Sequence, residues 1–251
     1  MIWIRTYIDT VMSVVLMYHD IVTASDKSSG FQNENAFPYK VEKTAFEEQV
    51  KALQGKDVVF TFDDGGETFF TNAAPILEKY GCKGIFFIST KYIGTTGFLI
   101  AEQVKALAER GHVIGSHSHT HPEIFTKLSR EGVREEWLKS HEILQSILGK
   151  KDLPMSIPNG YASKTIMQEA INCGYTDIYT SQPTTKVGSF QKHNVIGRYA
   201  VYDNMTVQNV LHMVTGKGCQ MKMALKWHGL NVVKGVLGSS YETIKAKVLH
   251  R

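Results

Sequence analysis

Short runs of β-branched and aromatic residues alternate along this chain with amphipathic helical segments, and that alternation restricts the possible folds more than any other feature. Apolar runs at Ser13–Tyr18, Val58–Phe62, Gly84–Ile88, Val113–Gly115 and Leu153–Ile157, with others near Ile178 and over Val195–Tyr199, read as strands. Between them lie helical patterns. One runs from a Thr44/Glu47 capping box to about Leu53, and another through Ala73, Ile76, Leu77 and Tyr80 to Gly81. Further helices are expected over Ala101–Arg110, about Ser129–Leu148, Lys164–Cys173 behind Ser163, and from about Thr206 to Val214. Strands that alternate with helices pair in parallel. About seven such units, with no dinucleotide fingerprint, favour a βα barrel over an open doubly wound sheet. The 251 residues suffice for one such domain, with the barrel over about 13–215 and a peripheral helical tail over about 220–251.

In a barrel, chemistry collects where strands end and βα loops begin, so two stretches stand out. Thr61-Phe62-Asp63-Asp64-Gly65-Gly66 follows the second strand. Adjacent carboxylates repel unless a cation or hydrogen bonds share their charge. Read alone, one of them caps the next helix and the other is solvated. Gly115-Ser116-His117-Ser118-His119-Thr120-His121-Pro122 follows the fourth strand. His117 and His121, four apart, can aim two imidazoles at one point, whereas His119 between them points elsewhere. Taken together, the stretches lie at the same barrel end. A carboxylate and two imidazoles there leave coordination positions open for water and substrate, with a second carboxylate free to act as base. Zinc is the default divalent metal for such donors, and nickel or cobalt would also suit them.

On these motifs the chain resembles the polysaccharide deacetylases of carbohydrate esterase family 4, the NodB-homology fold, over roughly residues 14–215. The resemblance implies a distorted (β/α)7 barrel, Asp63 as catalytic base, and Asp64, His117 and His121 as metal ligands. It also implies an N-acetylated saccharide as substrate. The stretch matching the family's third motif is Ser156-Ile157-Pro158-Asn159-Gly160, in which Asn159 would offer its backbone N–H to an oxyanion. Ser156 stands where the family carries an Arg that orients the catalytic Asp, and Arg198 is the candidate substitute. Lys226-Trp227-His228 only loosely resembles the C-terminal motif that supplies the general acid. Leu16-Met17-Tyr18-His19-Asp20-Ile21 is similar to the N-terminal Met-Tyr-His signature of a permuted branch of the family, so His19 is preferred to His228. The other readings are hydrolysis of a non-sugar amide or cyclic ureide, and a catalytically degenerate carbohydrate-binding barrel.

Composition narrows the setting. The net charge of +4 includes no Lys/Arg run of the kind that grips nucleic acid, so no nucleic-acid partner is expected. Cys82, Cys173 and Cys219 are odd in number and scattered, as in a reduced compartment. The first 21 residues carry Arg5 and Asp9 and lack a continuous apolar stretch with a cleavage site, so no secretion signal is expected. Met12 is an alternative start to Met1. A cytoplasmic enzyme acting on a surface polysaccharide or its precursor (O-antigen, capsule or exopolysaccharide) is therefore expected, with peripheral membrane contact through the basic, apolar tail as a further expectation.

Overall fold

A computed structural model of the protein describes residues 13–237, with side chains as far as residue 229. The choice between Met1 and Met12, and much of the tail on which membrane contact was expected, lie outside the described residues.

The apolar runs form strands because their β-branched and aromatic side chains can be buried on both faces. The strands, in chain order, are β1 (Val14–Tyr18), β2 (Ile21–Val22), β3 (Val41–Glu42), β4 (Val58–Phe62), β5 (Gly84–Ile88) and β6 (Val113–Ser116). They continue with β7 (Leu153–Ser156), β8 (Tyr175–Tyr179), β9 (Gly188–Phe190), β10 (His193–Ile196) and β11 (Tyr199–Ala200). The main sheet runs β11-β1-β4-β5-β6-β7-β8-β10-β9, and only the β9–β10 pairing is antiparallel. β2 and β3 form a separate parallel pair.

The stretch expected as one strand, Val195–Tyr199, is two. β10 pairs with β8, β11 pairs with β1, and only Gly197 and Arg198 stand between them. This single bent strand joins the two sides of the sheet. β1, β4 to β8 and the bent β10/β11 are then the seven staves of the distorted (β/α)7 barrel. A Cβ at position 197 would lie 2.3 Å from the Gln182 carbonyl oxygen and 2.4 Å from Thr184 Cγ2, so only glycine fits the bend.

Helices α1 (Lys43–Ala52), α2 (Ala74–Lys79), α3 (Ala101–Glu109), α4 (Arg130–Leu148), α5 (Lys164–Asn172), α6 (Val207–Thr215) and α7 (Lys217–Leu237) follow in order. No helix separates β8 from β10 among the described residues; the β9–β10 hairpin takes its place. Two helix starts differ from expectation. Glu42, not Thr44, caps α1, accepting from the N–H groups of Thr44 and Ala45, because its carboxylate is a stronger acceptor than a hydroxyl. Glu47 instead pairs with Lys79. The helix expected through Ala73 opens as a π turn, Phe69–Ala73, before α2. Ser163 caps α5 as expected, and Ser129 caps α4.

The core on the helix side is aromatic, with Tyr18, Phe46, Phe60, Phe62, Phe69 and Phe86 in contact and all buried. Each such side chain contributes roughly 1.5–3 kcal/mol by leaving water. At the strands' N-terminal end a polar cluster joins β5 to β6. His112 Nδ1 accepts from Gly84 N–H (3.0 Å), so Nε2 carries the proton and donates to Glu78 (2.9 Å). Arg110 donates to both Glu78 oxygens at 2.9 and 2.6 Å. The Arg110 hydrogen bonds, followed by the His112 bond, overcome the effect of burial and bring the Glu78 carboxyl down to about 2.

A carboxyl lowered in the folded chain stabilises above its unfolded value of 4.5, and that stabilisation is lost as pH falls toward about 2. Because the side chain is 27% exposed, the contribution is discounted to about 1 kcal/mol. Glu78→Gln should therefore lower Tm at neutral pH by about 2–4 °C. In thermal melts the gap from the parent protein should narrow as pH drops below 4.5. A gap independent of pH would refute the ion-pair account.

Candidate metal centre

The Asp-Asp pair sits in the turn that leaves β4. Asp63 N–H donates to the Tyr18 carbonyl (3.0 Å), and Asp64 is held at φ 86°, an uncommon conformation for a residue with a side chain. Close packing fixes the turn. A Cβ on Gly66 would fall 1.9 Å from Asp20 Oδ1, which accepts from Ser29 (2.6 Å) and Thr68 (2.9 Å). Asp20 thus ties the loop after β1 to the turn after β4.

The histidine loop leaves β6 under comparable restraint. Ser118 and His121 take φ values of 65° and 55°. The Ser118 N–H donates to Ser116 Oγ, which lies 2.7 Å from Ser140 Oγ. Glu136 on α4 accepts from the N–H groups of His119 and Thr120 (3.0 and 2.8 Å) and from the Thr120 hydroxyl (2.6 Å). His117 Nδ1 lies 3.1 Å from the Ser156 carbonyl oxygen; a carbonyl only accepts, so Nδ1 carries the proton and Nε2 presents a lone pair. His119 turns away to Thr90, with Nδ1 3.0 Å from its hydroxyl.

These two loops bring Asp64, His117 and His121 together. The Nε2 atoms of His117 and His121 lie 3.5 and 3.4 Å from Asp64 Oδ1, and three potential ligand atoms fall within 4.8 Å of one another. Asp64 Oδ1 is buried without a hydrogen-bond partner, a costly state for a carboxylate oxygen. Burial pushes His117 down to about 3 and His121 down to about 4, so both rings are neutral and free to donate electron pairs. Burial, aided by the charge of Asp63, pushes Asp64 up to about 7. One divalent cation among these atoms would answer all three anomalies, so the residues fit a metal. The N,N,O donor set suits zinc, nickel or cobalt.

Asp63 has a different environment. Arg198, buried at the closing bend, donates from Nη1 to Oδ1 and from Nη2 to Oδ2, both at 2.7 Å. The same Nη2 donates to Ser156 Oγ (2.6 Å), and that hydroxyl lies 3.3 Å from Asp63 Oδ2. Nε donates to the Thr180 carbonyl at 3.2 Å. Burial alone would raise the Asp63 pKa. The Arg198 charge, followed by His117, outweighs burial and holds the carboxyl well below the usual range. Arg198 thus binds Asp63 and Ser156 together, the contact expected of it from the sequence.

His19 follows β1, and its buried Nδ1 has no hydrogen-bond partner. Its ring lies 4.4 Å from that of Tyr39, which in turn lies 4.9 Å from Tyr202. Burial lowers its pKa, opposed first by the charge of Asp64 and then by that of Asp63. His228 is exposed on α7 beside Trp227. Asn159 adopts φ 55°, and its amide donates to the carbonyls of Pro122 and Glu123 (3.3 and 3.4 Å), fastening the third-motif loop to the histidine loop. Sequence reasoning missed Asp20, Glu136 and Tyr39. Of these only Asp20 had a signal, as the neighbour of His19.

A family profile described as polysaccharide deacetylase matches residues 51–178, just over half of the 251 residues. That span includes both aspartates and both histidines, and leaves out His19 and Arg198. Over 158 residues the chain is 29% identical to the peptidoglycan-N-acetylmuramic acid deacetylase PdaA of Bacillus subtilis, covering 61% of this chain and only 56% of that protein. The putative polysaccharide deacetylase YxkH of Bacillus subtilis is 28% identical over 192 residues, 72% of this chain and 68% of that one. In fold, the chain is similar to the Streptococcus pyogenes deacetylase PplD solved with acetate, with a TM-score of 0.67 at 21% identity, over 80% of this chain and 97% of that one. The chain belongs to the polysaccharide deacetylase family.

Proposed function

We propose that the protein hydrolyses the N-acetyl group of a sugar, releasing acetate and leaving a free amine. The observation that carries this reading is the convergence of Asp64, His117 and His121 beside an Asp63 that Arg198 keeps ionised. A cation held by the three ligands, zinc by default, would polarise the acetamide carbonyl and activate water. Asp63, oriented by Arg198 and Ser156, accepts the proton of the attacking water. The Asn159 backbone N–H is assigned to the developing oxyanion. His19 gives a proton to the departing amine. Burial disfavours a standing charge on this imidazole, and the neighbouring carboxylates of Asp64 and Asp63 oppose that effect.

His19→Ala should lower kcat by about 10²–10⁴-fold with bound metal retained. An unchanged kcat would remove His19 from the reaction. The Arg198–Asp63 pairing supports this reading over that of a catalytically degenerate barrel. Acetate release from N-acetylated oligosaccharides, measured against amide opening of non-sugar substrates, tests the proposal. Turnover of the non-sugar amides alone would overturn it. The relatives' peptidoglycan and polysaccharide names favour a surface polysaccharide or its precursor as substrate. The three cysteines are all free, which favours a reducing, cytoplasmic setting. Among the described residues no helix is long and apolar enough to cross a membrane.

A further inference from the structure

The loop between β2 and β3 lies outside the stretch that matches the family, yet it is built as tightly as the loops that carry the candidate metal ligands. Ser29 and Gly30 are buried in it. Ser29 Oγ donates to Asp20 Oδ1 (2.6 Å) and accepts from the Thr68 N–H (3.2 Å). Gly30 takes φ 67°, its N–H donates to the Gly97 carbonyl (2.8 Å), and a Cβ there would fall 2.0 Å from Asp20 Oδ2. The buried Lys40 ammonium donates to the carbonyls of Lys27 and Ser29, and the Gln32 amide donates to those of Ser28 and Ser29 at 2.8 and 2.9 Å. Burying an ammonium is costly, and the acceptors that offset the cost here are carbonyls of this turn.

What the turn places is Phe31. Its ring centre lies 5.0 Å from that of His121, 4.9 Å from that of Tyr92 and 5.2 Å from that of Phe98. Tyr92 and Phe98 stack on each other at 4.9 Å. The Tyr92 hydroxyl donates to the carbonyl of Thr120, the residue before His121 (3.3 Å), and Phe98 forms a backbone bridge with Gly66. The three rings therefore join the turn after β4 to the histidine loop. The two histidines are oriented by different means. The His117 ring is fixed by the Ser156 carbonyl on β7. The backbone hydrogen bond of the His121 ring is to its own residue, a bond that fixes the ring to no other element.

We propose that Phe31 is a positioning residue for the His121 ligand: seated by Asp20, Lys40 and Gln32, it packs the imidazole so that Nε2 stays directed at the cation. The proposal rests on the metal-centre reading above and not on the identity of the substrate. An imidazole already held by packing has less rotational freedom to lose when it binds a metal. Apolar rings around the site also restrict water and lower the local dielectric, which strengthens the attraction between a cation and its carboxylate ligand.

The test measures zinc affinity of the whole protein by competition with a chromophoric chelator, and the ligand-field spectrum of the cobalt-loaded protein. Phe31→Ala should weaken zinc binding by about 10-fold and shift the cobalt absorption. Phe31→Tyr keeps the ring and should restore both. Gln32→Ala leaves Phe31 in place but frees the turn, and should weaken zinc binding in the same direction. A residue that served folding alone would lower the melting temperature of the metal-free protein and leave zinc affinity and cobalt spectrum at their parental values; that result in Phe31→Ala overturns the proposal. An equal loss of zinc affinity in Phe31→Ala and Phe31→Tyr overturns it too. If Phe31→Ala does not fold, Gln32→Ala decides by the same titration: weaker zinc binding supports the proposal, and parental binding refutes it. A parent protein that binds no zinc sinks the metal-centre reading itself, and the role of Phe31 with it.

Discussion

Arg198→Met is expected to lose both stability and turnover, although residue 198 lies outside the stretch that matches the family. The substitution leaves Asp63 buried without its two 2.7 Å donors. Removing one partner of a buried ion pair costs about 3–5 kcal/mol, because the remaining charge has neither water nor a counter-ion. Turnover should fall by about 10²–10⁴-fold, since the base is no longer oriented and takes up a proton readily. Arg198→Lys should not rescue it. A single ammonium cannot span both Oδ atoms while also reaching Ser156 and Thr180. Denaturant unfolding and acetate release together check this result. A variant within about threefold of parental turnover would show that Asp63 needs no such clamp.

The two aspartates should part company when each is replaced. Asp64→Asn removes a metal-facing carboxylate, so bound zinc, measured by elemental analysis after dialysis, should fall well below one per chain. Asp63→Asn should keep its zinc and still lose about 10⁴-fold in turnover, the upper end for a general base. Both side chains approach His117 Nε2, which lies 3.5 Å from Asp64 Oδ1 and 3.8 Å from Asp63 Oδ2. Loss of zinc in Asp63→Asn, with zinc retained in Asp64→Asn, would exchange their roles.

Much of this arrangement can be read from the residues because it is local. Val58–Phe62 and Gly84–Ile88 coincide with β4 and β5, since burial on both faces demands the apolar runs seen there. The candidate metal ligands are legible because each comes from a short stretch at the end of a parallel strand, where the fold rule places chemistry. Nonlocal packing was harder to read. Nothing near Val195–Tyr199 announces that the strand bends, because the reason, contact of position 197 with Gln182 and Thr184, lies elsewhere in the chain. The Thr44/Glu47 capping box matched a pattern, but Glu42 competed successfully for the same N–H groups. Glu136 appears in sequence as one more polar residue of a helix, and its partners are the backbone of a loop 16 and 17 positions earlier. The β9–β10 hairpin after β8 likewise had no counterpart in the periodicity.

The bend at Gly197 and Arg198 carries a consequence for how the molecule is made. Asp63 and the guanidinium that neutralises it are 135 positions apart, so a growing chain exposes its acidic turn long before the countercharge has been synthesised. Contacts of such separation form late in folding. Until the last stave docks between β8 and β1, the half-built sheet holds an anion it cannot bury, which opposes premature collapse around an incomplete centre. Formation of the Asp63–Arg198 pair and completion of the barrel wall are thereby one event.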